Sequence, residues 1–208
     1  MKLIIATGTR GNDIYFGLVQ FMADAVRRFN AEIIFGECSW SAVRAQEFIV
    51  KQLADRDYDY VLHVDADVAP PMDTIDKLTS LNLDIVGVPV WMADYCDVCI
   101  NIHRHGNCER IRSKPDSGVE SVNHISFACI LIHRNVFERF KARGESPFHA
   151  SALAGHDRDG VPDLIFNAKA IAMGYKLHVC WGVKGAVHNR PIRICDEMLH
   201  RIQTAVGR

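Results

Sequence analysis

The sequence predicts an α/β fold: a three-layer α/β/α sandwich on a mostly parallel central sheet, with a small antiparallel element added. Three observations predict it. Strand-like and helix-like runs alternate from Lys2 to Asp67, the order of a parallel sheet covered by helices. The run Tyr60 to Val64 has the length and β-branched content of a buried strand and stops abruptly at two acids, Asp65 and Asp67. The 208 residues are 49% hydrophobic and 24% charged, which supports a sizeable core and argues against global disorder.

Lys2 to Ala6 reads as the first strand, followed by the turn-rich loop Thr7-Gly8-Thr9-Arg10-Gly11-Asn12. Ile14, Leu18, Phe21, Met22, Ala25 and Phe29 recur at helical spacing, with Asn12 or Asp13 as the cap. Ala31 to Phe35 is a second strand. Ser39 or Ser41 caps a second helix whose buried stripe is Ala45, Phe48, Ile49 and Leu53. After the strand that ends in the two acids, Pro70-Pro71 breaks the chain and Asp73 to Leu81 is a short helix. Asp84 to Val90 is a strand stopped by Pro89. Cys96 to Ser121 lacks a clear period and is expected to hold a hairpin and a mobile loop. His124 to His133 is a strong strand, Arg134 to Lys141 a short helix, and Gly144 to Gly160 a flexible flap. Leu164, Ala168, Ile171 and Ala172 mark a helix ended by Gly174, where a left-handed cap is preferred. Lys176 to Trp181 is the last strand. Ile194, Met198, Leu199, Ile202 and Val206 share one side of a terminal helix. No repeat or linker divides the chain, so one domain is expected over residues 1–208.

Formal net charge is −1, so there is no basic excess to argue for nucleic acid. The seven cysteines lack the spacing of a disulfide framework, which favours a reducing compartment. The opening apolar run is too short for a signal peptide. No stretch approaches the roughly 20 residues that span a bilayer. A soluble, cytoplasmic protein is expected.

Two acids just past a buried strand sit where open α/β sheets place their ligands. On an ideal strand, positions i and i+2 lie roughly 6.6 Å apart, too far to chelate one Mg²⁺-like ion symmetrically. One acid, Asp67, is therefore the expected direct ligand. Asp65 takes a ribose hydroxyl or a metal-bound water. His63, inside the strand, reads as a satisfied core group. Cys96-x-x-Cys99 with His103, His105 and Cys108 could build a zinc site. Alternation along Cys96 to His103 fits a half-buried strand of small apolar groups better. Trp91 and Trp181 read as core. No G-x-G-x-x-G follows the first strand, which argues against a dinucleotide oxidoreductase.

Val64-Asp65-Ala66-Asp67-Val68, followed by Pro70-Pro71 and a helix, resembles the DXD signature of GT-A fold glycosyltransferases. The likeness is greatest to the compact, family-2-like enzymes of bacteria and viruses. Further blocks resemble that family in the same order: Val43-Arg44-Ala45-Gln46, Asp84 to Pro89, Phe127 to Arg134, Pro162 to Phe166 with Gly174-Tyr175, and Val187-His188. Gln46 stands where the family carries Asn, and Pro162 where it carries Glu.

The resemblance implies a Rossmann-like GT-A fold with a nucleotide-binding half (1–95), an acceptor half (96–190) and a C-terminal helix (191–208). It implies a metal-dependent hexosyltransferase using Mn²⁺ or Mg²⁺ and a nucleotide sugar, UDP being the nucleotide. Thr7, Gly8, Thr9, Arg10, Arg44, Asp65 and Ala66 would bind the donor, and Asp67, His188 and Asp65 the metal. Asp163 would be the base of an inverting reaction, with His156 and Asp157 in reserve; a retaining outcome stays open. The acceptor is a glycan, a lipid-linked glycan, a protein or a modified nucleobase. The terminal helix would pack on the body, dock on a membrane surface or join two subunits as a homodimer. For a viral chain the compartment is the host cytoplasm. A sugar nucleotidyltransferase and a non-catalytic nucleotide-sugar or metal-binding module are the rival readings.

Overall fold

Along the strand Leu3–Thr9, β1, neighbouring side chains part to two cores. Leu3 and Ile5 join one and Ile4 and Ala6 the other, the two-residue period of a strand buried on both faces. The computed structural model describes residues 1–9, 14–37, 42–92, 95–99, 102–103, 111–112, 118–149, 162–183 and 186–188. Arg10, Asn12, Asp13, Ser39, Ser41, His105, Cys108, His156, Asp157 and the tail from Pro191 lie outside them.

In chain order, β1 leads to α1 (Phe16–Phe29), β2 (Glu32–Glu37), α2 (Ala42–Leu53), β3 (Tyr60–Val64), β4 (Val68–Ala69) and α3 (Thr74–Ser80). Next come β5 (Ile85–Gly87), β6 (Val90–Met92), β7 (Tyr95–Cys99), β8 (Ile102–His103), β9 (Ile111–Arg112), β10 (Val119–Val122) and β11 (His124–Ile125). The last elements are β12 (Cys129–His133), α4 (Arg134–Ala142), α5 (Pro162–Ala172), β13 (Leu177–Cys180) and β14 (Ala186–His188).

The central sheet has seven strands in the order β10-β13-β5-β12-β3-β1-β2. β2, β1, β3, β5 and β13 share one direction, and β12 and β10 run against them. α2, α4 and α5 cover one face through Ile49, Leu53, Phe137, Phe140, Phe166 and Ala170. α1 and α3 cover the other through Leu18, Phe21, Met22, Ile75 and Leu78. The three-layer expectation holds. A second, five-stranded sheet, β4-β14-β6-β7-β9, supplies the antiparallel element, and β8 pairs with β11.

The single strand expected from His124 to His133 is in fact two, β11 and β12. Between them the carbonyls of Phe127 and Ala128 are taken by the His63 ring and the Asp65 N–H, so this stretch leaves the ladder. The strand expected from Asp84 to Val90 likewise divides into β5 and β6, at Pro89, which has no N–H to give. The residue before α1 is Tyr15, which makes no side-chain cap. Gly174 ends α5 at φ +91°, the left-handed conformation expected of it. Gly87 is needed for a close approach: a Cβ there would lie 2.5 Å from Ile125 Cγ2. Trp181 is buried, and its Nε1 donates to Glu120 Oε2 at 2.9 Å. Among the described residues no helix is long and apolar enough to cross a membrane.

Candidate active site

β3 delivers the acid motif to the edge of the central sheet and then turns. Asp65 N–H donates to the Ala128 carbonyl at 3.1 Å, and Val68 N–H donates to the Asp65 carbonyl at 3.0 Å. The i to i+3 bond makes Asp65–Val68 a β-turn. The extended-strand spacing expected between the two acids therefore does not apply: Asp65 and Asp67 sit on a tight turn. Both are half-buried. Tyr15 N–H donates to the Ala66 carbonyl at 2.8 Å, pinning the middle of the turn to the start of α1.

Beyond the turn, β4 pairs with β14. Val68 is opposite His188, and Ala69 is opposite Val187. The backbone of His188 is thus brought beside Asp67 from the far end of the chain. Among the described residues no group of three His, Cys, Asp or Glu side chains gathers to hold a metal. The chemistry of the expected set still suits Mn²⁺ or Mg²⁺, with two carboxylates on one turn and an imidazole-bearing residue at the adjoining register position.

The end of β1 lies along the same sheet edge. Thr7 is fully buried, and its Oγ1 has no hydrogen-bond partner among the described residues. Gly8 faces the start of α2: a Cβ there would lie 3.7 Å from Ala45 Cβ and 3.8 Å from Gln46 Nε2. That contact sets exposed Arg44, one residue earlier on α2, beside the strand end. For Thr9 the backbone alone is described, in β1.

Gln46 and His63 lock α2 to β3. Gln46 Nε2 donates to His63 Nε2 at 2.7 Å, and His63 Nδ1 donates to the Phe127 carbonyl at 2.7 Å. The expectation of a satisfied core histidine holds. Burial lowers its pKa from 6.5 to about 4, against an opposing pull from the Phe127 carbonyl. The folded value lies below the unfolded one, so the ring binds its proton more readily in the unfolded chain. This group's stabilisation is complete above about pH 6.5 and is lost as pH falls toward 4, by about 3 kcal/mol in all. We expect the unfolding free energy of wild type over His63→Gln, read from urea melts, to shrink by that amount between pH 7 and pH 4. An advantage that stays constant with pH would contradict the neutral, buried ring.

Asp163 opens α5. Its Oδ1 accepts from Leu164 N–H at 3.1 Å, and its Oδ2 lies 3.7 Å from His124 Nε2. Asn167 Nδ2 lies 2.8 Å from His124 Nδ1 and 2.8 Å from the Ile125 carbonyl. The segment from His124 to Ala128 therefore touches both candidate centres. One end meets Asp163, and the other holds Asp65 through the Ala128 carbonyl. Burial and the nearby charge of Asp65 push the Cys129 thiol up. His124, Asn167 and the role of Gln46 were not visible in sequence reasoning. The i, i+4 spacing of Asp163 and Asn167 on a helix was the available signal for one of them.

Comparisons with known proteins bear on the fold. No family model matches the chain, and no curated protein matches it. Solved structures do. A197 from STIV is 14% identical with a TM-score of 0.61, over 91% of this chain and 86% of that one. GalNAc-T7, solved with UDP, GalNAc and Mn²⁺, is 9% identical with a TM-score of 0.53, over 93% of this chain and 44% of that one. The inositol-1-phosphate CTP transferase from T. maritima is 9% identical with a TM-score of 0.51, over 100% of this chain and 96% of that one. The class defined is a GT-A-like, Rossmann-like α/β fold of the kind that glycosyltransferases and nucleotidyltransferases share.

Proposed function

We propose that the protein is a glycosyltransferase that moves a sugar from a nucleotide sugar, a UDP-sugar, to an acceptor hydroxyl. The observation that carries the reading is the Asp65–Val68 turn, held at the sheet edge by Tyr15 and Ala128 and joined by the register of β14. Two carboxylates placed there suit a diphosphate and its counter-ion.

In this reading Gly8, Thr9, Arg10 and Arg44 line the nucleotide side, with Thr7 behind them. The short glycine-bearing end of β1 allows backbone to approach the base and ribose, and Arg44 supplies a charged donor for phosphate oxygens. Asp65 accepts from a ribose hydroxyl, with Ala66 between the acids. Asp67 and His188 hold Mn²⁺ or Mg²⁺, which when bound supplies positive charge against the departing diphosphate. Asp163 accepts the proton of the acceptor hydroxyl as that oxygen attacks. Its place in the first turn of α5, where the helix field favours an anion, keeps it ready to do so. Single displacement from this base inverts the anomeric centre.

Incubation with a panel of nucleotide sugars and Mn²⁺ tests the reading. We expect slow release of a nucleoside diphosphate from at least one donor with water as acceptor. Formation of pyrophosphate from UTP or CTP and a sugar phosphate would instead assign a nucleotidyltransferase, the activity named for the T. maritima structure. Binding of UDP and Mn²⁺ with no cleavage of any donor would leave a binding module.

A further inference from the structure

We propose that His124 and Asn167 are positioning residues for Asp163: Asn167 fixes the His124 ring with its proton on Nε2, and that N–H orients the carboxylate. The inference rests on reading Asp163 as the base.

Hydrogen-bond valence fixes how the Asn167 amide is turned. Asn167 is 2% exposed, and its Nδ2 lies 2.8 Å from both the Ile125 carbonyl and His124 Nδ1. A carbonyl only accepts, so the amide nitrogen and not the amide oxygen must face Ile125. The same NH₂ then presents its second proton to His124 Nδ1, which must be bare to receive it. The single proton of the neutral ring is left on Nε2, the atom 3.7 Å from Asp163 Oδ2.

Both ends of this chain of contacts are anchored. Asp163 and Asn167 are one helical turn apart on α5 and bracket the ring from one face. Asp163 Oδ1 is held by Leu164 N–H, so a contact on Oδ2 fixes the plane of the carboxylate. Ile125 is wedged into the space left by Gly87, which holds the carbonyl that sets the amide's orientation. At 3.7 Å the two groups are within ion-pair range but beyond hydrogen-bond distance, so the contact must tighten for the N–H to bond the carboxylate.

The first test needs no substrate. Imidazole ¹⁵N NMR of the full chain, with the signals assigned by their loss in His124→Gln, is expected to show the neutral His124 ring as the Nε2–H tautomer at pH 8. Asn167→Leu is expected to yield a tautomer mixture. A wild-type ring protonated on Nδ1, or mixed, overturns the proposal.

The second test is kinetic, with a UDP-sugar as donor and water as acceptor. His124→Phe is expected to lower kcat about 10–100-fold, the effect of losing a group that orients a functional one, with the donor KM unchanged. His124→Gln is expected to restore most of the loss, because its amide nitrogen takes the place of ring Nε2. In an Asp163→Asn background, His124→Phe should add nothing, the non-additivity of residues acting as a unit. If Asp163→Asn is impaired and His124→Phe still adds its full loss, the positioning role fails alone. If Asp163→Asn is fully active, the base assignment itself falls.

Discussion

Asp67→Asn is expected to lower nucleoside diphosphate release by more than about 100-fold, beyond the range seen when a ligand's outer partners are lost. The substitution keeps the shape of the side chain and removes its charge. Asp67 stands half-buried in a turn fixed by three backbone hydrogen bonds, from Asp65, Val68 and Tyr15. Those bonds involve no atom of the Asp67 side chain, so the backbone of the turn should hold. The loss should therefore appear in turnover and in the Mn²⁺ dependence, which a titration of the metal against both proteins reads directly. Release at the wild-type rate would remove Asp67 from the site and with it the metal assignment.

Phe166→Ala is expected to destabilise the protein by about 3–5 kcal/mol, the usual cost of truncating a fully buried phenylalanine. Phe166 is 0% exposed and stands at the centre of an aromatic cluster. Ring centroids of Phe127, Phe148, Phe140 and Phe137 lie 5.1, 5.8, 5.8 and 6.3 Å away. Few of these rings can collapse into the space without moving α4 or α5, so a cavity remains. Phe127 belongs to the segment that carries His124 and the Ala128 carbonyl, so the damage should spread. Activity below the melting temperature should fall along with stability. The midpoint of urea unfolding checks the first effect, and a change under about 1 kcal/mol would show that the cluster repacks.

The layers of the fold were legible because periodicity reports burial along α1, though Phe48 of the stripe expected on α2 is exposed and Gln46 is buried instead. Leu18, Phe21, Met22 and Ala25 recur at helical spacing and all lie buried under α1. Tyr60 to Val64 is buried at every position, as a run apolar except for His63 indicates. Strand breaks were less legible. Nothing local in Ser126-Phe127-Ala128 announces that two of its carbonyls are claimed by His63 and Asp65, more than sixty positions earlier. The acid motif was readable as a strand end, but its geometry was not, since the Asp65 to Val68 hydrogen bond is a backbone event that side-chain type does not encode. His188 was singled out by resemblance, and its backbone register with Val68 arises from pairing across most of the chain. His124 carries no sequence signal at all. Its importance lies in meeting α5, a contact between elements nearly forty residues apart.

β12 lies between β3 and β5, which do not touch each other within the sheet. The middle of the platform is thus completed by residues 129–133, made long after the strands on either side. Until that piece arrives, a growing chain would hold two apolar edges apart with nothing to zip them together. The strands within the first 95 residues therefore do not form a continuous sheet by themselves. The parallel strands β3 and β5 are joined in the sheet only through this late keystone, whose insertion also brings in β11, the strand that carries His124.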